Sequence, residues 1–245
     1  MLRWIIFFLF FPIYSVFLNI FARAFHACSW FNHCYQKMVK IWNCWILWTI
    51  KIKVTIAPSD IKKLITSHSK IIIANHKSHL DSLVLWSIMP KEVFLCFAAK
   101  KELFKIPICG TILKYSGSII IDRQNAQIAI HNLKTFFTDT NFAKTLVIYA
   151  EGTRSRDNNL LPFKRGPFLI AKEMGVPILP IIIHGTAKGL PSDKLWPKAT
   201  TATVKILDPI PYEQLHAEDP NKTKNQLWQT MKAELLSLQT VCDHG

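Results

Sequence analysis

The chain has 245 residues, half of them hydrophobic, with a net charge of +14 and a mean hydropathy of +0.18. That length suffices for one large core, and a composition both basic and apolar points to an anionic membrane face or a phosphorylated substrate. Nucleic acid is disfavoured by the lack of zinc-finger spacing, an arginine-rich tail or an aromatic RNP-type strand, and none of the six cysteines forms the C-x-x-C pair of a zinc ribbon or redox centre.

Residues 4–22 carry no charge and lie between Arg3 and Arg23. As a helix this stretch measures about 28 Å, close to the thickness of a bilayer's hydrocarbon core. Pro12, Ser15 and Asn19 interrupt it, so spanning and lying in the interface both stay open. Residues 25–50 mix Trp30, Phe31, Tyr35, Trp42, Trp45 and Trp48 with His33, Lys37 and Lys40. Rings that are part apolar and part hydrogen-bonding favour the headgroup layer. Residues 1–50 therefore read as a two-helix membrane-binding unit and residues 51–245 as a separate α/β domain. The cysteines read as reduced thiols, with that domain facing the cytoplasm.

From residue 51 short β-rich runs alternate with helical patterns. The runs fall at 51–56, 70–74, 93–98, 118–122, 145–150, 177–184 and 202–207, with helices predicted at 124–137 and 166–174. Such alternation predicts an α/β fold whose central sheet is largely parallel or mixed and covered by helices. Leu227, Met231, Leu235 and Leu238 recur at helical spacing and predict a terminal amphipathic helix.

The run IIIANHKSHLD, residues 71–81, ends a buried strand in two histidines and a carboxylate. On a regular helix His76 and Asp81 point about 140° apart, so they meet only across a bend. Ser78 as N-cap and Asp81 at N3 form a capping-box pattern that supplies one. Two readings stand. Asp81 can merely satisfy the helix start. Alternatively His76 takes and returns a proton while Asp81 holds its other nitrogen and fixes the tautomer. No G-x-S-x-G elbow occurs, so under the second reading a base acts without an enzyme nucleophile.

Lys100 and Lys101 follow the third run, where a solvated helix start competes with a role for either lysine beside an anion. Gly117 to Arg123, GSIIIDR, ends another apolar strand in a charged pair, so Arg123 either reaches an anion or is a solvated strand end. In YAEGTRS, residues 149–155, Gly152 allows close backbone approach, Thr153 offers a hydroxyl and Arg154 a planar fork of donors, together suiting a phosphate. Glu151 would repel one, so it is expected to orient Arg154 or accept backbone N–H groups. Lys164, Arg165 and Gly166 then precede a helix start, which favours anions. Pro177 and Pro180, in VPILP, predict a sheet edge or an irregular wall that shapes an acyl-chain contact.

These residues carry a resemblance. N-H-x4-D at 75–81, GSIIIDR, YAEGTRS and VPILP resemble, in order, the four motifs of the 1-acylglycerol-3-phosphate acyltransferases, and the AAKKELFKIP stretch at 98–107 is similar too. The likeness covers roughly residues 50–210, with Tyr149 and Ala150 standing where that family has Phe and Pro. It implies the glycerolipid acyltransferase fold and transfer of an acyl group from acyl-CoA or acyl carrier protein to the sn-2 hydroxyl of 1-acylglycerol 3-phosphate, forming phosphatidic acid. It further implies His76 as base, Asp81 as its partner, and Glu151, Gly152, Thr153 and Arg154 as the phosphate-binding turn, with Arg123 and Lys101 assisting. No metal or cofactor beyond the acyl donor is implied. The expected partners are membrane lipids, the lysolipid and the donor, with no nucleic acid. Another lysolipid acceptor, a lipid esterase and a non-catalytic lipid binder remain as alternatives.

Overall fold

The computed structural model describes residues 2–28, 30–65, 68–106, 108–121, 126–138, 143–155, 159–191, 193–194 and 196–243, and for residues 2–8, 126–130 and 241–243 the backbone alone. Seven strands form one sheet: β1 (Ile52–Ile56), β2 (Lys70–Ala74), β3 (Phe94–Ala99), β4 (Ile119–Ile120), β5 (Lys144–Tyr149), β6 (Ile178–His184) and β7 (Thr200–Ile206). Their order is β1-β7-β6-β2-β5-β3-β4. Neighbours run parallel except β6 and β7, which pair antiparallel from Ile181↔Ile206 to His184↔Thr203. The sheet is thus mixed, and the ends of β2, β3, β4, β5 and β6 share one edge with the beginnings of β1 and β7.

Helices cover both faces: α1 (Leu2–Phe25), α2 (Phe31–Thr49), α3 (Pro58–Leu64), α4 (Leu80–Ile88), α5 (Cys109–Tyr115), α6 (Ala126–Thr138), α7 (Gly166–Met174), α8 (Thr186–Gly189), α9 (Tyr212–Ala217) and α10 (Pro220–Asp243). Period-two alternation divides the strands between two cores. Ile72, Ala74, Val147, Leu179, Ile181 and Ile183 pack with α1, α2 and α4. Ile71, Ile73, Leu146, Ile148, Ile178 and Ile182 pack with α6, α7 and α10. Because β2 is covered on both sides, its sequence is a continuous β-branched run rather than an alternating one. The predicted stripe on α10 is present, with Leu227, Met231 and Leu235 buried.

The prolines of VPILP do not mark an edge. β6 lies between β7 and β2, near the middle of the sheet. Pro180 stands where the β6–β7 ladder is interrupted: the ladder begins one residue later, at Ile181, the Leu207 N–H donates to the Pro180 carbonyl at 3.0 Å, and pairing resumes at an Ile178–Ile210 bridge. A missing amide hydrogen is tolerated at such a junction.

The first two helices belong to the same core as the sheet. Phe31, Tyr35, Val39, Trp42 and Leu47 of α2 are buried against it, joined by Leu18 and Ala22 of α1. Gln36 fastens α2 to β3 by donating to the carbonyls of Leu95 (2.9 Å) and Ser116 (3.0 Å) and accepting from the Leu95 N–H (3.2 Å). The opposite side of α1 exposes Leu9, Ile13, Val16, Phe17 and Ile20. Among the described residues no helix is long and apolar enough to cross a membrane.

Candidate active site

β2 ends against β6 through a side chain. Asn75 donates from Nδ2 to the Ile183 carbonyl (2.8 Å) and accepts at Oδ1 from the Ile183 N–H (2.7 Å), extending the ladder by one amide. The chain then bends. Ser78 Oγ accepts from the Leu80 N–H (3.1 Å), and the Ser78 N–H donates to Asp81 Oδ2 (2.9 Å). The carboxylate half of a capping box is present, while Ser78 Oγ takes the N–H two residues on and the Asp81 N–H donates to the Ser78 carbonyl; α4 begins at Leu80, with His79 in the position before it.

The bend brings together the two residues that a straight helix would separate. His76 Nδ1 lies 2.9 Å from Asp81 Oδ2. Asp81 is fully buried and also accepts from the Lys77 N–H (2.8 Å) and, through Oδ1, from Thr186 Oγ1 (2.6 Å). Surrounded by donors, the carboxylate can only accept, so Nδ1 of His76 carries the hydrogen. Nε2 is left as the basic nitrogen, on a side chain that is 17% exposed.

The rest of the His76 environment comes from β5 and the loop after it. The imidazole stacks on the Tyr149 ring, with centroids 3.9 Å apart and planes 12° apart. The Tyr149 hydroxyl hydrogen-bonds Ser82 Oγ at 2.8 Å. The His76 backbone is gripped at both ends: its N–H donates to Glu151 Oε1 (2.6 Å), and its carbonyl accepts from the Ser155 N–H (2.9 Å). Of the two roles expected for Glu151, the geometry shows acceptance of backbone N–H groups, since Oε2 takes the Leu161 N–H at 2.8 Å. Burial pushes its carboxyl up to about 7, against the opposing pull of those two N–H groups and of Lys77, with Asp81 adding to the rise.

Gly152 adopts φ +74° in the turn that closes on the Tyr149 carbonyl. Thr153 is exposed, and Arg154 is half-buried with Nη1 inaccessible to solvent and, among the described residues, without a hydrogen-bond partner. A buried guanidinium nitrogen with no acceptor is costly unless an anion arrives to meet it. His79, at the rim, is pushed below the ordinary imidazole value first by surrounding protein and then by Arg154 and His76, while Asp81 opposes. It is therefore an electrostatic neighbour of the site, despite having no place in the motif. Lys101 begins a 3₁₀ turn, Lys101–Lys105, after β3 at the same sheet edge, exposed and without an ion pair among the described residues. Arg123 and Asp122 lie outside the described residues.

Thr186 and the ring of Tyr149 were not found by sequence reasoning. The one signal for Thr186 was a glycine at the end of an apolar run. Gly185 has φ +91°, and a Cβ there would come within 2.1 Å of the Thr201 carbonyl oxygen. That turn swings Thr186 beneath Asp81. Neither nearby serine hydroxyl is uncommitted: Ser78 Oγ donates to the Leu190 carbonyl (2.7 Å), and Ser82 Oγ is paired with Tyr149.

Comparison with known proteins places these features in a family. The acyltransferase family model matches residues 55–184. A 1-acyl-sn-glycerol-3-phosphate acyltransferase of Limnanthes douglasii is 33% identical over 168 residues, covering 67% of this chain and 57% of its own length. One from Saccharomyces cerevisiae is 35% identical over 170 residues, covering 66% and 55%. The chain thus spans little more than half the length of these relatives. The crystal structure of the 1-acyl-sn-glycerophosphate (LPA) acyltransferase of Thermotoga maritima aligns over 97% of this chain and 95% of that one, with a TM-score of 0.77 at 22% identity, a likeness of fold.

Proposed function

Because the chain belongs to the acyltransferase family, we propose that it transfers an acyl group from acyl-CoA or acyl carrier protein to the sn-2 hydroxyl of 1-acyl-sn-glycerol 3-phosphate, yielding phosphatidic acid. The observation that carries this reading is the His76–Asp81 pair with Nε2 left basic and, among the described residues, no uncommitted serine beside it. Nε2 takes the proton of the acceptor hydroxyl as its oxygen attacks the thioester carbonyl. The C–O bond forms, the C–S bond breaks, and the proton passes to the departing thiolate. Asp81 holds the tautomer and stabilises the imidazolium. Unpartnered Arg154 Nη1, with Gly152 and Thr153, receives the acceptor's phosphate, and Glu151 supports the turn by its backbone bonds. Lys101 adds positive charge at the same edge, and Arg123 assists by its place in the family motif alone. No metal or bound cofactor enters this scheme.

Residues 1–50 act as the membrane-binding unit in this reading, laying the exposed apolar stripe of α1 into the bilayer interface on the cytoplasmic face, where the lysolipid resides. The deciding assay pairs purified protein with acyl-thioester donors and several lysolipid acceptors, products being read by mass spectrometry. His76→Ala is expected to lower kcat by roughly 10²–10⁴-fold, the usual worth of a positioned base. Near wild-type turnover, or a stable acyl-serine trapped on the enzyme, would overturn direct transfer. Arg154→Ala should lose far more rate with a phosphate-bearing acceptor than with a neutral one. Equal losses would make Arg154 structural.

A further inference from the structure

Trp196 is the most exposed large apolar side chain among the described residues, at 72%. It lies between α8 and β7, in a segment the fold holds closed at its base. The Lys198 N–H donates to the Gly189 carbonyl at 2.6 Å, and the Leu190 N–H to the Thr186 carbonyl at 2.9 Å. The segment leaves directly from the site, since Thr186 contacts Asp81 and Leu190 accepts from Ser78. A single exposed indole is ordinary on a protein surface, so what it can contact has to be read from its company.

Its surroundings are basic. Lys194 and Lys198 flank it and are exposed, with Asp193 the sole acidic residue between Gly185 and Thr201. Lys194 sits 3.5 Å from Asp193, with 68% of its side chain exposed. Strand register supplies the second half of the surface. Thr200 of β7 pairs in parallel with Ile52 of β1, so the start of β1 lies beside the end of the Trp196 segment. Trp48, at the end of α2, is 46% exposed, and Lys51 and Lys53 beside it are exposed as well. The Trp196 segment and the start of β1, which between them carry four exposed lysines, therefore lie at the edge of the sheet onto which the candidate site opens, with Trp48 one helix turn before β1. Tryptophan at headgroup depth with lysines at phosphate level is the composition of an anionic bilayer interface.

We propose that the Trp196 loop, with Trp48 and Lys51, is a second membrane contact, separate from the α1 stripe, that sets the site edge down on an anionic bilayer. This rests on the acceptor being a membrane lipid, while lipid binding itself is measured without turnover. The intact chain is titrated with vesicles of phosphatidylcholine alone and of phosphatidylcholine mixed with phosphatidylglycerol. Trp196→Ala should weaken partitioning about tenfold, from the lost apolar burial. Lys194→Ala with Lys198→Ala should weaken it by more than tenfold on the anionic vesicles and little on the neutral ones, an effect that shrinks with salt. With brominated lipid, the emission lost in Trp196→Phe relative to wild type should be the quenched part.

Unchanged partitioning by Trp196→Ala, or an unquenched difference spectrum, overturns the proposal. So does normal partitioning with a lost rate toward a short-chain, water-soluble lysolipid, which would assign the loop to the acyl donor instead. Vesicle binding through Trp196 without transfer to any lysolipid would leave the membrane contact standing and remove the acyltransferase reading alone.

Discussion

Tyr149 presses its ring flat against the base at 3.9 Å and ties its hydroxyl to Ser82, one residue beyond Asp81. It thereby links the two members of the pair from outside. Tyr149→Phe keeps the stack and loses a hydrogen bond worth about 1 kcal/mol, so kcat should fall less than tenfold. Tyr149→Ala frees the imidazole to move, and a displacement of about 1 Å can cost on the order of 10²-fold. Steady-state kinetics on both variants checks this, and equal losses would mean that the hydroxyl, not the ring, positions His76. Glu151 makes a pH prediction. Its folded carboxyl titrates near 7 against a usual 4.5, so between those values the folded state holds a proton the unfolded chain has released. Its contribution to stability is therefore full below about 4.5 and is lost as pH rises toward about 7. Denaturant unfolding across that range should show a slope that Glu151→Gln flattens; an unchanged slope would assign the titration elsewhere.

At the level of elements, the bend at Ser78 just ahead of α4 builds the His76–Asp81 pair, which is why the pair was legible: two residues five apart, one bend and one helix start lie within a single stretch of sequence. The YAEGTRS turn was legible too, as a motif of its own, but its grip on the His76 backbone and the support of Thr186 were not, because those contacts join distant stretches of sequence. Thr186 lies 105 positions from the carboxylate it bonds, and only the β6–β2 pairing brings it there. The same blindness applies to VPILP, whose prolines look like an edge until the strand order puts β6 inside the sheet and the ladder to β7 shows an interruption beside Pro180. The strands themselves were readable, since a run buried on both faces is apolar throughout. Gly185 tests how far the turn controls the site. Gly185→Ala must relieve a 2.1 Å approach to Thr201 O in a backbone region that costs a side chain about 1–3 kcal/mol even without a clash. It should lower thermal stability and activity together. Thr186→Val should keep the melting temperature within a few degrees and lower kcat alone. A loss of fold in Thr186→Val would make that hydroxyl a structural support.

Across the whole molecule, the N-terminal helices do two things that sequence reasoning assigned to separate units. One side of α1 and α2 completes the core over the sheet, and the other side of α1 meets solvent with Leu9, Ile13, Val16 and Ile20, each more than half exposed. Removing residues 1–50 is therefore a poor test of membrane binding. It would uncover the sheet face that Phe31, Tyr35, Val39 and Leu47 bury, at about 1.5–3 kcal/mol for each such side chain, against a total stability of roughly 5–15 kcal/mol for ordinary domains. The 51–245 fragment should be insoluble or unfolded by circular dichroism. Changing Leu9, Ile13, Val16 and Ile20 to Gln separates the two roles. Vesicle partitioning should fall by about two orders of magnitude or more, from the apolar area withdrawn from lipid. The melting temperature should barely move, because none of the four side chains enters the core. If the fragment stays folded and active, α2 is dispensable to the sheet; if the quadruple variant binds vesicles like wild type, the membrane contact lies elsewhere on the molecule, and the Trp196 edge is then the surface that must account for it.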